Sequence, residues 1–379
     1  MTQRINRLTF WVAGIAVLTL TACLLLEANQ RSASTHADYR RLEKLLRQGK
    51  WQAADRETLA QMLVAADRQK QGWLSAQAIE TFPCEDFATI DRIWLKYSDR
   101  RFGFSMQKRI WEAVGGKPGT YDRQIALKLG EWVGWQKNGQ WYPYDRLTFT
   151  ADAPVGHLPA TTGNGVSGGA WGGVATLAGR VKTCKPTFER LPNALQKQAE
   201  KAVQQHQAAL RAGARHCKGC YLVGANLSGL DLSLGDLSFA DLRNANLQNT
   251  ILGAAKLRYA DLRGANLEGA ILRQANLLAA NFENANLKGA DFHCGAGSCT
   301  YLFGTSFQGA NLQNANLACL DCDVVDRLGL DSVNLAGANL RGAIVEGTRW
   351  QNVNVNLCGA MLPNGTRSQQ GCDSEESRK

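Results

Sequence analysis

Eleven cysteines and five histidines are the side chains of this 379-residue sequence best suited to chemistry. Cys217-x-x-Cys220 and Cys319-x-x-Cys322 have the spacing of a zinc or redox pair. Cys217, Cys220 and Cys322 also fall where a five-residue pattern places a small apolar residue, and that reading is the stronger one. The odd total has no framework spacing, which fits a reducing compartment better than a disulfide scaffold. His157, between Gly156 and Leu158, invites an axial metal-ligand role. A structural hydrogen bond in that turn is favoured over it. No Ser/His/Asp arrangement, carboxylate pair or phosphate loop stands out. The Gly-rich stretch Thr161–Gly179 lacks a following Lys-Ser/Thr and reads as a flexible loop or linker. By themselves these residues point to no catalytic reaction.

The elements that must position these groups announce themselves by period. From Leu222 to Phe292 a large apolar residue stands at every fifth position, as in Leu227, Leu242, Leu262, Leu277 and Phe282. A small residue lies two places before most of them, and an Asn or Asp lies between. Five is neither the strand period nor the helix period, so the region reads as a stacked coil with flat five-residue faces. The repeat resembles the pentapeptide-repeat family. The resemblance implies a right-handed quadrilateral β-helix with about twenty residues per coil. It covers Cys217 to Pro363 in about six coils, a rod of about 30 Å at the spacing of stacked strands. The register slips after Leu317 and resumes at Leu335, so a loop is expected near Asp323–Asp331. Cys299 and Cys319 are one full coil apart and could stack within disulfide reach.

Charge is unevenly spread. The net charge is +10. Residues 217–364 carry 10 Lys/Arg against 12 Asp/Glu and residues 365–379 balance, so the first 216 carry +12. A near-neutral repeat argues against nucleic-acid mimicry, and no nucleic-acid partner is expected. The basic half suits an anionic ligand, protein or lipid headgroup. Leu8–Leu26 has no charge and is long enough to span a bilayer. It reads as an uncleaved anchor, a cleaved signal, or a lipoprotein signal through Cys23 in Leu20-Thr21-Ala22-Cys23. The anchor is favoured because the apolar run continues past Cys23. More positive residues follow the span than precede it, which places both domains on the cytoplasmic side of a plasma or thylakoid membrane. The alternative is an exported lipoprotein.

Residues 36–184 read as an all-α domain. Helices are expected at Asp38–Leu46, at Trp51–Arg68, after Asp86 as a cap, from Ser105, and around Ile125–Leu129. Leu191–Ala214 reads as a linker helix. The expected organisation is thus multidomain: residues 1–35 as a transmembrane or signal segment, 36–184 helical, 185–216 linker, 217–364 β-helix and 365–379 a polar tail.

Three strings in the helical part carry a second resemblance. They are Leu42–Thr58 (LEKLLRQGKWQAADRET), Ile90–Trp111 (IDRIWLKYSDRRFGFSMQKRIW), and Val133–Trp135 followed by Phe149–Pro159 (FTADAPVGHLP). Together they resemble the porphyrin-binding regulator family called "genomes uncoupled four". The resemblance implies a carrier of protoporphyrin IX or Mg-protoporphyrin IX that assists magnesium chelatase in chlorophyll biosynthesis, with its large subunit as partner. A porphyrin is a flat apolar disc with two carboxylates, so its site needs broad apolar walls and cations at the rim. Phe102, Phe104, Trp132, Trp135, Tyr144 and Phe149 supply candidate walls. Arg101, Lys108, Arg109 and Arg146 supply candidate cations. Trp94 and Trp111 sit at helical spacing and are assigned to the core. The rival reading is an interaction scaffold without porphyrin affinity, whose repeat domain serves a partner the sequence does not identify.

Overall fold

The computed structural model describes residues 37–160, 173–185, 193–293, 300–318, 332–345 and 355–372. The Leu8–Leu26 span, Cys23, and the expected Cys299–Cys319 bridge lie outside the described residues. Among the described residues no helix is long and apolar enough to cross a membrane.

Apolar residues at helical spacing form the first two helices, α1 (Arg40–Arg47) and α2 (Trp51–Ala65). Leu42 and Leu46 of α1 are buried, as are Trp51, Ala54, Thr58, Met62 and Ala65 along one face of α2. α3 (Ala76–Glu80) starts where Ser75 accepts a hydrogen bond from the Ala78 N–H. α4 (Cys84–Tyr97) begins directly after Pro83. Asp86 does not cap this helix as expected; it lies inside the first turn, buried, and accepts from the Tyr39 hydroxyl. α5 (Phe104–Ala113) is capped from another helix, because Asp91 Oδ1 of α4 accepts the Ser105 N–H at 2.9 Å. Gly103 makes that approach possible: a Cβ there would lie 2.6 Å from Asp91 Oδ1. Asp122 caps α6 (Arg123–Trp132) through the Ile125 N–H.

A two-stranded hairpin follows, β1 (Gln136–Lys137) with β2 (Gln140–Trp141), and then a 3₁₀ turn at Tyr144–Arg146. α7 (Gly173–Thr183) corrects the expectation of a linker through Gly179. Val174, Leu177, Ala178 and Val181 repeat at helical spacing and are buried, and α7 packs against α3 and α5. α8 (Asn193–Arg211) matches the expected linker helix.

The core of the helical part is aromatic. Trp51, Trp94 and Phe102 cluster with centroids 5.6–6.4 Å apart. Phe87 stacks on Phe104 at 4.7 Å, and Phe82 meets Phe87 edge-on. Trp94 donates to Thr58 and Trp111 donates to the Lys117 carbonyl, so each indole N–H is satisfied.

Between His216 and Asp291 the chain forms parallel bridges to the residue twenty places later: Tyr221 with Asp241, Asn226 with Asn246, Asp231 with Ile251, Asp236 with Lys256. Four faces therefore stack into a coil whose interior is the leucine and alanine set. The Asn or Asp between them has a structural task beyond solvation. Its side chain accepts the N–H two residues on, as Asn226 does from Ser228 and Asn286 from Lys288, tying each corner. One ladder runs through Tyr221, Asp241, Asp261, Asn281, Ser306, Asn334 and Asn356, one rung more than the sequence count. The step from Ser306 to Asn334 is 28 residues, which places the extra chain where the register slips. Residues 365–372 are not a free tail. Arg367 bridges Met361, Leu357 donates to the Gln370 carbonyl, and Cys372 bonds Cys358.

The cysteine expectation is also corrected. Every cysteine among the described residues is in a disulfide: Cys84–Cys184, Cys217–Cys220 and Cys358–Cys372. Spacing conceals this, because the first pair lies 100 residues apart.

Candidate functional site

The polar residues of the quoted strings converge on one loop. Val133–Ala160 is fastened to the helical frame by three side chains from two of those strings. Asp55 accepts the Tyr144 hydroxyl at 2.7 Å and the Ala160 N–H at 2.6 Å. Gln107 donates to the Gly156 and Pro159 carbonyls. Arg101 donates to the Ala153 carbonyl at 2.7 Å. Inside the loop, His157 Nδ1 lies 2.6 Å from the Val133 carbonyl and Nε2 accepts the Thr148 N–H. Both ring nitrogens are thus committed to backbone, which is the structural role favoured from sequence. Burial lowers the His157 pKa, against the opposing pull of the Val133 carbonyl, so the ring is neutral at pH 7. Trp135 closes the turn by donating to the His157 carbonyl.

The outer side of this loop carries the remaining candidates. Tyr144 and Phe149 are half-buried, with centroids 5.1 Å apart. Arg146 is exposed beside them in sequence, and Arg56 of α2 is exposed with its guanidinium 6.0 Å from the Tyr144 ring. Burial, then the Asp55 charge, pushes the Tyr144 hydroxyl up, so it stays a hydrogen-bond donor. The patch thus offers two packed, half-buried rings with the Arg56 guanidinium at their edge. Arg56 was missed in sequence; its place in the Ala-Asp-Arg-Glu-Thr string, next to the anchor Asp55, was the available signal.

Several sequence candidates stand elsewhere. Phe102, Phe104 and Trp135 are fully buried in the helical core and cannot line an open surface. Their aromatic character serves packing. Lys108 pairs with Glu112 one turn along α5. Arg109 and Trp132 face the coil.

That second contact joins the two domains, and Tyr39–Lys379 forms one compact unit. Trp132 stacks on Phe303 at 5.2 Å and donates to the Tyr259 hydroxyl. Tyr259 stacks in turn on Phe239, one coil below. Phe239, Tyr259 and Ala279 occupy the same corner in successive coils, with φ of +63°, +56° and +52°. Most other corners hold Gly or Asn at this left-handed position, as at Gly224, Asn244 and Gly264. Beside the aromatic corner lies a buried charge cluster. Arg100 meets Asp241 at 3.3 Å and Arg109 meets Asp261 at 3.4 Å. Arg243 and Arg263 each clasp the Asp two residues before them. Arg109 also donates to the Tyr259 carbonyl. Burial alone would raise the Asp261 carboxyl, yet the hydrogen bond from Arg263 and the surrounding guanidinium charges outweigh it and hold the group well below the usual carboxylate range. Burial pushes Arg109 down, but guanidinium remains charged in proteins.

The architecture is therefore a helical module seated on the side of a five-residue-repeat coil, with a small aromatic and basic surface left outward. Comparison with known proteins gives this class a name. Residues 32–171 match the GUN4-like family, and residues 220–258 and 255–293 match pentapeptide repeats. The chain carries a GUN4-like domain followed by pentapeptide repeats. It is 34% identical over 126 residues to a Ycf53-like protein of Synechocystis, covering 32% of this chain and 50% of the relative. It is 30% identical over 124 residues to the chloroplastic tetrapyrrole-binding protein of Arabidopsis thaliana, covering 32% of this chain and 47% of that one. The chain thus spans about half the length of the curated relatives it matches. Among solved structures, ligand-free Arabidopsis GUN4 aligns at 25% identity with a TM-score of 0.32, over 40% of this chain and 98% of that one. GUN4 from Chlamydomonas reinhardtii aligns at 26% identity with a TM-score of 0.32, over 42% of this chain and 94% of that one.

Proposed function

We propose that this protein is a tetrapyrrole-binding carrier or regulator that holds protoporphyrin IX or Mg-protoporphyrin IX and does no chemistry on it. The observation that carries the reading is the Val133–Ala160 loop. Side chains of the resembling strings spend their hydrogen bonds on positioning it, and it carries the packed pair Tyr144 and Phe149, with Arg56 against the Tyr144 ring and Arg146 exposed two residues after Tyr144 along the chain. An aromatic wall can stack on a macrocycle, and two guanidinium groups can meet its propionates. The similarity to a relative named as tetrapyrrole-binding supports the same class of ligand. Magnesium chelatase, through its large subunit, is the enzyme partner implied by the resemblance. That pairing needs both domains on the chelatase's side of the membrane, with Leu8–Leu26 as the tether.

Titration of the full chain with deuteroporphyrin, read by tryptophan quenching, tests the proposal. Saturable quenching is expected, weakened about tenfold or more in the Tyr144→Ala/Phe149→Ala double variant. Loss of one stacked aromatic plus the packing beneath it is worth roughly 1–3 kcal/mol, and 1.4 kcal/mol is tenfold. Absence of saturable quenching in the parent chain would defeat the proposal.

A further inference from the structure

We infer that both domains fold and work in an oxidising compartment, with three disulfides as permanent closures of the fold. All six cysteines among the described residues are paired, a pattern that reducing compartments do not sustain. Their positions are not scattered. Cys84 is the first residue of α4 and Cys184 directly follows α7, so this bridge fastens the last helix of the helical module. Cys217–Cys220 sits in the opening rung of the coil, where the Cys217 N–H donates to the Asp236 carbonyl. Cys358–Cys372 ties the returning strand to the closing rung. A solenoid held by nearest-neighbour contacts unravels from its ends, and the ends are where two of these bridges stand. Cys184 and Cys217 are buried to 1% and 4% exposure, out of reach of a bulky protein reductant in the folded chain. In forming each bridge, two thiols give up two protons and two electrons to an oxidant of the disulfide class, which leaves as its dithiol.

The inference stands on the cysteine pairing and is independent of ligand binding. Joined to the tetrapyrrole reading, on which this last step rests, it makes the protein a holder of tetrapyrrole on the oxidising side of the membrane and excludes the direct pairing with magnesium chelatase, which needs the opposite side. The test is thiol trapping in living cells. The full chain, expressed in a cyanobacterium, is quenched in acid and alkylated with N-ethylmaleimide in denaturant before any reduction. Peptide masses are then read for the six cysteines. The expected result is six unmodified cysteines that react only after reduction. In a version lacking Leu8–Leu26 and so retained in the cytoplasm, the expected result is alkylation at all six. Direct alkylation of the six in the full chain would overturn the inference, and so would full protection in the retained version. Failure of the porphyrin titration would leave this result untouched, so the two readings fail separately.

Discussion

Asp261→Asn is the sharpest probe of how the two domains are held. The carboxylate is 5% exposed and lies among Arg109 at 3.4 Å, Arg243 at 3.9 Å and Arg263 at 2.8 Å. Asparagine has nearly the same shape, so the substitution removes charge without leaving a void. Three guanidinium groups then crowd a site with one anion fewer. Breaking a buried ion pair by deleting one partner costs about 3–5 kcal/mol. For a unit of this size, about 2 °C per kcal/mol gives a fall of roughly 6–10 °C in Tm. The pH dependence adds a second signature. The folded-state pKa of Asp261 is depressed, so its stabilisation is fully present above the unfolded value of about 3.9 and is lost as pH falls through the folded value. The gap between parent and variant should therefore be full at neutral pH and narrow as the solution is taken below pH 4. Asp231→Asn is the control, since that carboxylate pairs with Arg215 at 3.6 Å on the open surface and should show no measurable shift. Calorimetry of the full chain from pH 3 to 8 reads both. A Tm within 1 °C of the parent at pH 7 for Asp261→Asn would refute the claim that this cluster joins the domains energetically.

Other outcomes follow from single contacts. Burial, opposed by the Ser105 hydrogen bonds, raises the Asp91 carboxyl to about 6, so stability should decline as pH rises from about 4 to about 6, by roughly 3 kcal/mol. Asp91→Asn keeps the cap acceptor and should flatten that decline in urea melts across the window. At Gly304 an added Cβ would lie 2.6 Å from the Ala113 Cβ, at φ +65°. Gly304→Ala should cost about 2–5 kcal/mol from overpacking plus left-handed strain. Gly224→Ala, with the same backbone and open space, should cost only the strain, about 1–2 kcal/mol. Equal losses in the two alanine variants would refute the interdomain contact. Removing Cys84–Cys184 opens a 100-residue separation and should cost about 4.7 kcal/mol, against about 3 for the 14-residue separation of Cys358–Cys372; chemical denaturation of the two double-serine variants orders them.

The coil was legible because one phrase, repeated, over-determines its inward residues; Leu222 through Phe292 are all buried as the period requires. The helices with strong stripes were legible too, including those of Leu42, Met62 and Ile110. α7 was hidden by glycines at Gly173 and Gly179, whose composition outweighed the Val174–Leu177–Val181 stripe. Gly179 is small for a packing reason: a Cβ there would meet the Gly119 Cα at 2.8 Å. The candidate site was half legible. Aromatic type alone cannot separate Phe102, which fills the core, from Phe149, which reaches the surface, because each stands in a string that carries the same resemblance. Arg109 and Trp132 read from sequence as porphyrin candidates, yet both turn to the coil, where their partners lie 127 or more residues away. No spacing rule reaches across that distance.

The corner of Phe239, Tyr259 and Ala279 has a wider consequence. A left-handed corner facing water is filled most cheaply by glycine or asparagine, and a ring placed there carries a steric cost that only a covering neighbour offsets. Read down the stack, this corner runs Gly219, Phe239, Tyr259, Ala279 and Gly304, with rings in the middle and glycine where Asp99 and Ala113 approach. The helical module thus docks along one column of corners, whose residues are sized to the gap each one faces.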